Sequence, residues 1–369
     1  MRLRRKAGVV IIGGGVSGLT VAYFLLRKGY RVTIIADKFA LETTSVIAGA
    51  LWEMPPAVCG HEEAGESRQL ETLEQWSRFS YRIFRRLHAN RLTGVYMRRV
   101  HFYSEMPLAA DSETQRKINR LRGFVLGLHV TEKEERKVAP GLIVRSHYSY
   151  RAPMIDMGVY LPWLIGEIKA MGGVLVSQCV LQADLMHPDQ LLDPYEACQL
   201  INCSGLGASA LVGDAEMFPV RGAWYAFPND GSLFPVIEEA HCSSLVAGSD
   251  RDQFLFVLPR GNDQLVVGGI AQAHVSDMNL PADSAMLAAM LQASGAWLPE
   301  LRGVRPDDRS DLKVGLRPFR NGSVRLELDD RGILHNYGHG GSGVLLSWGC
   351  ASRVHQLLRS RWKSIPALD

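Results

Sequence analysis

Two glycine-rich stretches near opposite ends of this 369-residue chain have the residue types best suited to binding a phosphate-containing cofactor. Residues 335–343 (HNYGHGGSG) lie between a short apolar pair, Ile333 and Leu334, and an apolar segment with helical spacing. Residues 13–18 (GGGVSG) open the chain. Glycine lets backbone amides approach a bound group closely, because no Cβ intervenes. Two such stretches predict one large cofactor held by both ends of the polypeptide.

The N-terminal stretch has the spacing of a dinucleotide-binding loop. An apolar run at residues 8–12 predicts a buried strand, residues 19–28 have helical apolar spacing, and residues 31–36 read as the next strand. In such a loop the first glycine permits the tight turn, the second lets the pyrophosphate approach, and the third lets helix and strand pack closely. The predicted cofactor-binding residues are Gly13, Gly14, Gly15, Val16, Ser17 and Gly18.

Polar residues after the second strand are the next candidates for cofactor contacts. Asp37 follows the last apolar strand residue, Ala36, and its carboxylate is expected to reach a ribose hydroxyl. Lys38, the next residue, is a further candidate for binding the cofactor. A turn-forming surface carboxylate is the alternative for Asp37. Thr43 and Thr44 offer hydroxyls for diphosphate oxygens, and the small apolar residues that follow can lie beneath an aromatic ring. The alternative for that segment is a buried connection.

Composition excludes several classes of protein. The 41 basic and 38 acidic side chains are well mixed and give a net charge of +3, which does not support binding of nucleic acid or of a membrane surface. The six cysteines form no CxxC pair and no metal-ligand spacing, so we expect free thiols and no metal. Glycines interrupt the apolar run after the basic N-terminus, which argues against a signal peptide. We expect a cytoplasmic protein.

The remaining segments indicate an α/β fold whose cofactor domain is discontinuous in sequence. A helix is predicted over 66–89 and another over 160–171, and a buried strand over 199–203 ends in a small-residue turn. From 221 to 270 alternating apolar residues and turn signals predict a mostly antiparallel sheet, with a mobile loop near 238–253.

These segments define a Rossmann-like domain with an inserted substrate domain built on a mixed antiparallel sheet. We expect the cofactor domain to comprise residues 1–53, 154–216 and 309–369. The substrate domain is expected to comprise residues 54–153 and 217–308.

The chain resembles the D-amino-acid oxidase family of FAD enzymes, through most of its length. Residues 335–350 are similar to the family's C-terminal signature, and residues 315–318 (GLRP), 43–52 and 202–205 (NCSG) resemble further motifs in the same order. The C-terminal stretch is closer to the D-amino-acid and D-aspartate oxidase branch than to glycine and sarcosine oxidases. The resemblance implies an FAD cofactor. It adds as cofactor-binding residues Ala48, Gly49, Ala50, Leu51, Val180, Ser204, Gly205, Gly340, Gly341, Ser342, Gly343, Val344 and Leu345.

The resemblance also implies a reaction and the residues that serve it. Arg317 matches the family's carboxylate-binding arginine, and the carbonyl of Gly341 matches the group that accepts a hydrogen bond from the substrate amine. Hydride transfer from Cα to the flavin would give an imino acid, which hydrolyses to a 2-oxo acid and ammonia, and O2 would yield hydrogen peroxide. No side-chain base is needed if the amine arrives neutral, so we interpret His339 as structural.

Two departures from the family pattern predict an altered substrate. Phe256 stands where the family has a tyrosine that donates to the carboxylate, and Leu345 stands where a threonine usually contacts the flavin. Tyr225, Trp224 or Arg260 are candidate replacement donors. Losing a donor would weaken carboxylate binding by about 1–3 kcal/mol.

Several alternatives stay open from the sequence. They are an NAD-dependent dehydrogenase, a flavin-dependent amino-acid or imino-acid dehydrogenase, a glycine or sarcosine-type oxidase, and a flavin-binding scaffold without turnover. The partners we expect are a small amino-acid substrate, O2 and a second copy of the chain in a homodimer, with no nucleic acid and no membrane.

Overall fold

The computed structural model describes residues 7–54, 67–132, 136–139, 142–243 and 253–364. Its strands are β1 (Gly8–Gly14), β2 (Arg31–Phe39), β3 (Val95–Ser104), β4 (Leu126–Thr131), β5 (Arg136–Ala139), β6 (Leu142–Val144), β7 (Ser146–Ile155), β8 (Val174–Ser177), β9 (Ala197–Asn202), β10 (Met217–Pro228), β11 (Ala240–Ser243), β12 (Gln253–Arg260), β13 (Gln264–Ile270), β14 (Gln272–Ala273), β15 (Asp311–Arg320) and β16 (Leu334–His335). Its helices are α1 (Val16–Arg27), α2 (Ser67–Leu87), α3 (Ser112–Leu121), α4 (Met157–Ala170), α5 (Asp189–Leu192), α6 (Ala208–Val212), α7 (Ala285–Trp297) and α8 (Gly343–Ser364).

A five-stranded parallel sheet forms the first layer, in the order β16-β9-β1-β2-β8. Strand β1 lies at its centre, with Ile11 in register with Ile34 of β2 and Ile201 of β9. Side chains alternate between the two faces of a strand. Val9 and Ile11 therefore pack with α1, α4 and α8, whereas Val10 and Ile12 pack with the small helices after β8. Apolar residues on both faces explain why β1 reads as a continuous apolar run.

A nine-stranded mixed sheet forms the second layer, in the order β14-β10-β13-β12-β11-β3-β7-β4, with β15 paired to β10. Its pairs are antiparallel except that β11 runs parallel to β3. One face packs against residues 47–54, α2 and α8, and we call it the inner face. The other face packs against α7. The expected α/β class, a Rossmann-like layer with a second mixed sheet, is confirmed.

The element bounds differ from the sequence predictions in ways that have local causes. Helix α4 begins before the predicted residue 160 because the Asp156 side chain accepts a hydrogen bond from the Gly158 amide (3.0 Å) and caps the first turn. Strand β2 continues to Phe39, so Asp37 and Lys38 lie within it. Within the predicted mobile loop near 238–253, residues 240–243 form strand β11. Residues 244–252 of that loop lie outside the described residues.

Strand β15 follows the expected domain boundary at residue 309, and it hydrogen-bonds within the larger sheet. All ten residues of β15 pair with β10 in the larger sheet, from Asp311 opposite Ala226 to Arg320 opposite Met217. The strand that carries Arg317 therefore belongs to the larger sheet, because a strand's sheet is decided by its hydrogen-bonded neighbour. The domain boundaries stay predictions.

The described ranges contain neither a candidate membrane-spanning helix nor a candidate metal-binding cluster. No helix there is long and apolar enough to cross a membrane. No group of three or more histidine, cysteine or acidic side chains in those ranges could hold a metal ion.

Candidate cofactor and substrate site

The loop after β1 is built by contacts between backbone segments. A Cβ added to Gly13 would lie 2.4 Å from the carbonyl oxygen of Cys203, and Gly13 has a φ of +116°. A Cβ on Gly18 would lie 2.0 Å from the carbonyl oxygen of Gly13 itself. These distances leave no room for any side chain, so the turn and the packing of α1 on β1 require glycine at both positions.

The N-terminus of α1 lies beside the hydroxyls of residues 43–45. The Ser45 hydroxyl accepts a hydrogen bond from the Val16 amide at 2.9 Å. A Cβ on Gly15, the residue before the helix, would lie 3.0 Å from the Ser45 hydroxyl oxygen and 3.8 Å from that of Thr43. Helix N-termini carry partial positive charge and free amides. The two segments predicted to bind a diphosphate are therefore adjacent.

The C-terminal glycine run meets the same helix N-terminus. Helix α8 begins at Gly343, where a Cβ would lie 3.9 Å from the Val16 side chain of α1. Gly340, with a φ of +55°, lies against the Phe319 ring of β15. Val344 packs in the core beneath α1, whereas Leu345 packs on the inner face of the larger sheet. Two positive helix ends thus converge between the two sheets.

His339 joins the two glycine stretches by hydrogen bonds. Its Nε2 lies 3.1 Å from the Asn336 Oδ1, so Nε2 carries the hydrogen and donates. Its Nδ1 then accepts from the Ser17 hydroxyl at 3.5 Å. Burial lowers the pKa of His339 to about 4. A neutral imidazole with both nitrogens hydrogen-bonded fits the structural role that we predict from the sequence.

The turn after β9 is held by Asn202. Its Oδ1 accepts from both the amide (3.1 Å) and the hydroxyl (2.7 Å) of Ser204. Its Nδ2 lies 3.4 Å from the His335 Nδ1, and the His335 Nε2 lies 3.1 Å from Asp329. Gly205 has a φ of +60°. This network fixes Ser204 and Gly205 at the carboxyl end of the parallel sheet, beside the loop after β1.

Arg317 lies on the inner face of the larger sheet, above a glycine. A Cβ on Gly222 of β10 would lie 2.4–2.6 Å from the three terminal guanidinium atoms of Arg317. The Arg317 Nη1 donates to the carbonyl of Ile270 at 3.1 Å. Burial lowers the pKa of Arg317 to about 10, so the guanidinium stays charged at neutral pH. Glycine at 222 makes the space that this side chain occupies.

Phe256 occupies a second glycine gap on the same face. A Cβ on Gly268 would lie 2.2 Å from the para carbon of the Phe256 ring. Gly268 pairs with Trp224, and Gly222 is two residues earlier on β10. Gly222 and Gly268 are therefore diagonal neighbours, about 7–8 Å apart. The structure brings Phe256 and Arg317 to adjacent positions, over neighbouring strands.

The three candidate replacement donors for a carboxylate are engaged elsewhere. Tyr225 points to the opposite face of the sheet, because it follows Trp224 on β10, and its hydroxyl donates to the carbonyl of Ala282 at 3.2 Å. The assignment of Tyr225 to the substrate site is therefore corrected. The Trp224 Nε1 donates to the carbonyl of Ile47 at 2.7 Å, and Arg260 donates to the carbonyl of Ala48.

Residues 48–51 lie across the inner face, between the two sheets. A Cβ on Gly49 would lie 3.5 Å from Leu258 and 3.9 Å from the Phe256 ring. Leu51 forms an isolated antiparallel bridge with Met154. All four residues are half-buried. The segment therefore separates the first glycine loop from the sheet that carries Arg317.

Three predicted cofactor residues lie away from this centre. Asp37 and Lys38 are exposed at the end of β2, although the Lys38 carbonyl oxygen would lie 2.4 Å from a Cβ on Gly14. Val180 packs against the apolar cluster on the far face of the parallel sheet. Their contacts with the cofactor stay predictions.

Sequence reasoning missed Gly222 and Gly268, the two glycines that admit Arg317 and Phe256. Each interrupts a strand of apolar residues, Gly222 before Ala223 and Trp224, and Gly268 after Val266 and Val267. A glycine inside a strand often marks the close approach of another group. That signal was present, but the partner of each glycine is set by strand pairing, which the sequence does not reveal.

Comparison with known proteins agrees with this geometry. A family model described as FAD dependent oxidoreductase matches residues 8–357. A D-amino-acid oxidase from Streptomyces coelicolor is 32% identical over 364 residues, covering 96% of this chain and 97% of the relative. The D-aspartate oxidase of Homo sapiens is 27% identical over 361 residues, covering 95% and 94%. The crystal structure of a glycine oxidase from Geobacillus kaustophilus has a TM-score of 0.71 at 17% identity, covering 98% of this chain and 96% of that chain.

The residues between the sheets fit the cofactor that the family name states. Three features suit a diphosphate. They are glycines at positions where no Cβ would fit, two converging helix N-termini, and the hydroxyls of residues 43–45. The half-buried segment 48–51 adds backbone beside the Arg317 face. With the family matched over nearly the whole chain, this protein belongs to the FAD-dependent oxidoreductases.

Proposed function

We propose that the protein is an FAD-dependent oxidase of D-amino acids, with a substrate pocket that has diverged at Phe256. The observation that carries this proposal is the half-buried Arg317 guanidinium, which lies over Gly222 on the sheet face opposite the glycine loops. A planar guanidinium binds a carboxylate through two parallel hydrogen bonds. The Streptomyces coelicolor relative is a D-amino-acid oxidase, which supports the same class of substrate for this protein.

FAD would be held by backbone from both ends of the chain. The diphosphate would bind at the N-terminus of α1 with the hydroxyls of residues 43–45, and the flavin end would lie along 48–51 and 340–345. Bound FAD supplies the oxidising chemistry, accepting a hydride from the substrate Cα and passing electrons to O2 to give hydrogen peroxide. The protein supplies orientation and exclusion of water.

Two fixed points orient the amino acid. Arg317 holds the carboxylate, and the carbonyl of Gly341 accepts from the amine. Gly341 belongs to the turn that packs on β15 next to Phe319, two residues beyond Arg317. With carboxylate and amine both fixed, one enantiomer directs its Cα hydrogen towards the cofactor. The imino acid formed would hydrolyse to a 2-oxo acid and ammonia.

The substrate amine must lose its proton before the substrate reaches the site. His339 offers no free nitrogen, because its Nε2 donates to Asn336 and its Nδ1 faces Ser17. Its lowered pKa would also make it a poor proton acceptor. The substrate therefore binds as the neutral amine, with Arg317 neutralising the carboxylate.

Phe256 makes the carboxylate end of the pocket more apolar than the family pattern. Its ring lies over Gly268, and no phenolic hydroxyl is present to donate. The single donor of Trp224 is bound to the carbonyl of Ile47, and Arg260 directs its Nη2 to the carbonyl of Ala48. Arg317 therefore carries most of the carboxylate binding in this proposal, and apolar side chains next to the carboxylate are favoured over charged ones.

A peroxide-coupled screen of the FAD-loaded protein tests the proposal. The panel contains neutral, basic and acidic D-amino acids, the matching L-forms, glycine, sarcosine and cyclic imino acids. Peroxide from neutral D-amino acids, with no product from L-forms, is the expected result. Anaerobic flavin reduction by D-substrates without aerobic peroxide would instead indicate a dehydrogenase. Turnover of glycine or sarcosine alone would replace the D-amino-acid assignment.

The proposal includes O2 as electron acceptor, a homodimer and a cytoplasmic location. Light scattering of the purified holoenzyme tests the dimer, and a single species with the mass of one 40.8 kDa chain would contradict it. Cell fractionation tests the location.

A further inference from the structure

Arg260 is a buried cation that the proposed reaction does not use. It ends β12, is 7% exposed, and its guanidinium lies 4.7 Å from the centre of the Trp224 ring. Asp156, the residue that caps α4, is the acidic group whose field acts on it. Burying a guanidinium is costly unless it is paired and hydrogen-bonded. Its direct hydrogen bond goes to the carbonyl of Ala48.

Trp224 binds the neighbouring carbonyl. Its Nε1 donates to Ile47 at 2.7 Å, so two stacked side chains from β10 and β12 hold two consecutive carbonyls of the segment that crosses the inner face. Ile47 also packs over Gly315, where a Cβ would lie 3.2 Å from its side chain. We call Arg260 and Trp224 the carbonyl clamp.

The carbonyl clamp determines where the next amides point. In a trans peptide the N–H points opposite to the preceding C=O, so the Gly49 amide points away from Arg260. The carbonyl of Ala50 accepts from the Ile155 amide at 3.0 Å, which turns the Leu51 amide away from β7. Within the described part of the chain, no carbonyl or side chain accepts from the amides of Gly49, Ala50 and Leu51.

Ala50 has a left-handed φ of +54°, which is unusual for a residue with a Cβ. Such conformations persist only where the surroundings enforce them, and they concentrate at functional sites. A left-handed residue among successive free amides also forms a concave donor surface for negatively charged atoms. Three half-buried donors in this conformation are prepared for a ligand rather than for the protein's own core.

We propose that Arg260 and Trp224 are positioning residues for the flavin, holding the Ile47 and Ala48 carbonyls on the sheet so that the 49–51 amides face the cofactor. The inference rests on the FAD of the family and not on the substrate proposed above. The buried charge of Arg260 adds a second effect. A nearby cation favours the reduced flavin, which carries more negative charge than the oxidised form.

The experiment compares the holoenzyme with Arg260→Gln, Trp224→Phe and a matched control, Arg221→Gln. Arg221 lies on the same strand as Trp224, but its guanidinium binds Gln272 and the carbonyl of Asp277, away from the segment. Apoprotein is titrated with FAD, and the reduction potential is measured by photoreduction against a reference dye. Neither measurement requires an amino acid, so failure of the substrate proposal does not affect the result.

We expect Arg260→Gln to raise the Kd for FAD about tenfold and to make the flavin potential more negative. Trp224→Phe keeps an aromatic ring but loses the donor, so we expect a rise of about threefold. Arg221→Gln should match the wild type. If Arg260→Gln does not fold, Arg260→Lys keeps the charge while losing the planar stack and serves instead. FAD affinity and potential unchanged in both clamp variants, even with lower thermal stability, would overturn the proposal.

Discussion

Glycines have different structural roles in the two sheet layers of this protein. Where β1 of the parallel sheet meets α1, a Cβ on Gly13 or Gly18 would meet backbone carbonyl oxygen at 2.4 Å or 2.0 Å. In the larger sheet, a Cβ on Gly222 or Gly268 would meet the side chain of Arg317 or Phe256. The first pair brings backbone to backbone, and the second makes space for two particular side chains.

The difference teaches how the two halves of the site can change. Backbone contacts depend on the glycine pattern and not on the identity of neighbouring side chains, so the cofactor end has little freedom to vary. The inner face of the larger sheet, which we propose as the substrate face, depends on which side chain fills each glycine gap. A phenylalanine in place of a tyrosine at 256 alters chemistry there without disturbing a hydrogen bond of the parallel sheet.

The largest effect we predict comes from removing the guanidinium on the substrate face. Arg317→Met should lower kcat/KM for the best D-amino acid about 10³-fold, since two charge-assisted hydrogen bonds of about 2 kcal/mol each are lost. Steady-state kinetics on the FAD-loaded variant measures this. Arg317→Lys keeps the charge but not the planar fork, so its kcat/KM should lie between those of the wild type and Arg317→Met. A methionine variant with ordinary kcat/KM would remove Arg317 from the site.

The next prediction compares Gly18 of α1, which packs on the parallel sheet, with Gly222 of the larger sheet. Gly18→Ala places a Cβ against backbone that cannot move aside, so we expect a loss of about 3 kcal/mol in unfolding free energy and failure to retain FAD. Gly222→Ala meets only the end of a flexible arginine, so the protein should fold, bind FAD and turn over substrate poorly. Denaturant unfolding and the flavin content of both variants measure this difference. Similar loss of flavin from both would contradict the distinction.

How much the sequence could predict follows from the same comparison. The glycine loop, α1 and β2 were predictable because one local pattern specifies them, and the strand alternation of β10 and β13 gave the second sheet. Arg317 was placed by motif resemblance alone. Its neighbour Gly222 is 95 residues earlier in the chain, and only the β10–β15 register brings them together.

The Tyr225 prediction failed for a related reason. Tyr225 and Trp224 are adjacent in sequence, and the face each occupies depends on which face of the sheet is covered by residues 47–54 and which by α7. Alternation gives two opposite faces but does not say which is inner. The clamp role of Arg260 was equally beyond the sequence, because its partner is a backbone carbonyl more than two hundred residues away.

A pH-dependent prediction concerns the bond between the two glycine stretches. Burial lowers the pKa of His339 to about 4, whereas an unfolded histidine titrates near about 6.5. Below that value the unfolded chain binds a proton that the native state does not. The stability due to neutral His339 is therefore complete above about pH 6.5 and lost as pH falls towards 4.

At about pH 5 the expected loss is about 2 kcal/mol relative to neutral pH. His339→Gln cannot be protonated, so its unfolding free energy should depend less steeply on pH between about 7 and 5. Urea unfolding of both proteins across that range measures the difference. Parallel pH curves would show that the native imidazole binds a proton as readily as the unfolded one, and the role given to its Nδ1 would be wrong.

The smallest predicted effect tests whether the substrate face can be returned to the family pattern. The para carbon of Phe256 lies over Gly268 of β13, so a hydroxyl added there extends towards β10, the strand beneath the Arg317 guanidinium. Phe256→Tyr should lower KM for neutral D-amino acids by three- to tenfold, the value of one added hydrogen bond of about 1 kcal/mol. Tyr225→Phe is the matched control, because it removes a hydroxyl from the opposite face and should leave KM unchanged. If Tyr225→Phe raises KM while Phe256→Tyr does nothing, the inner face is not where the carboxylate binds, and the comparison between the two sheets loses its functional meaning.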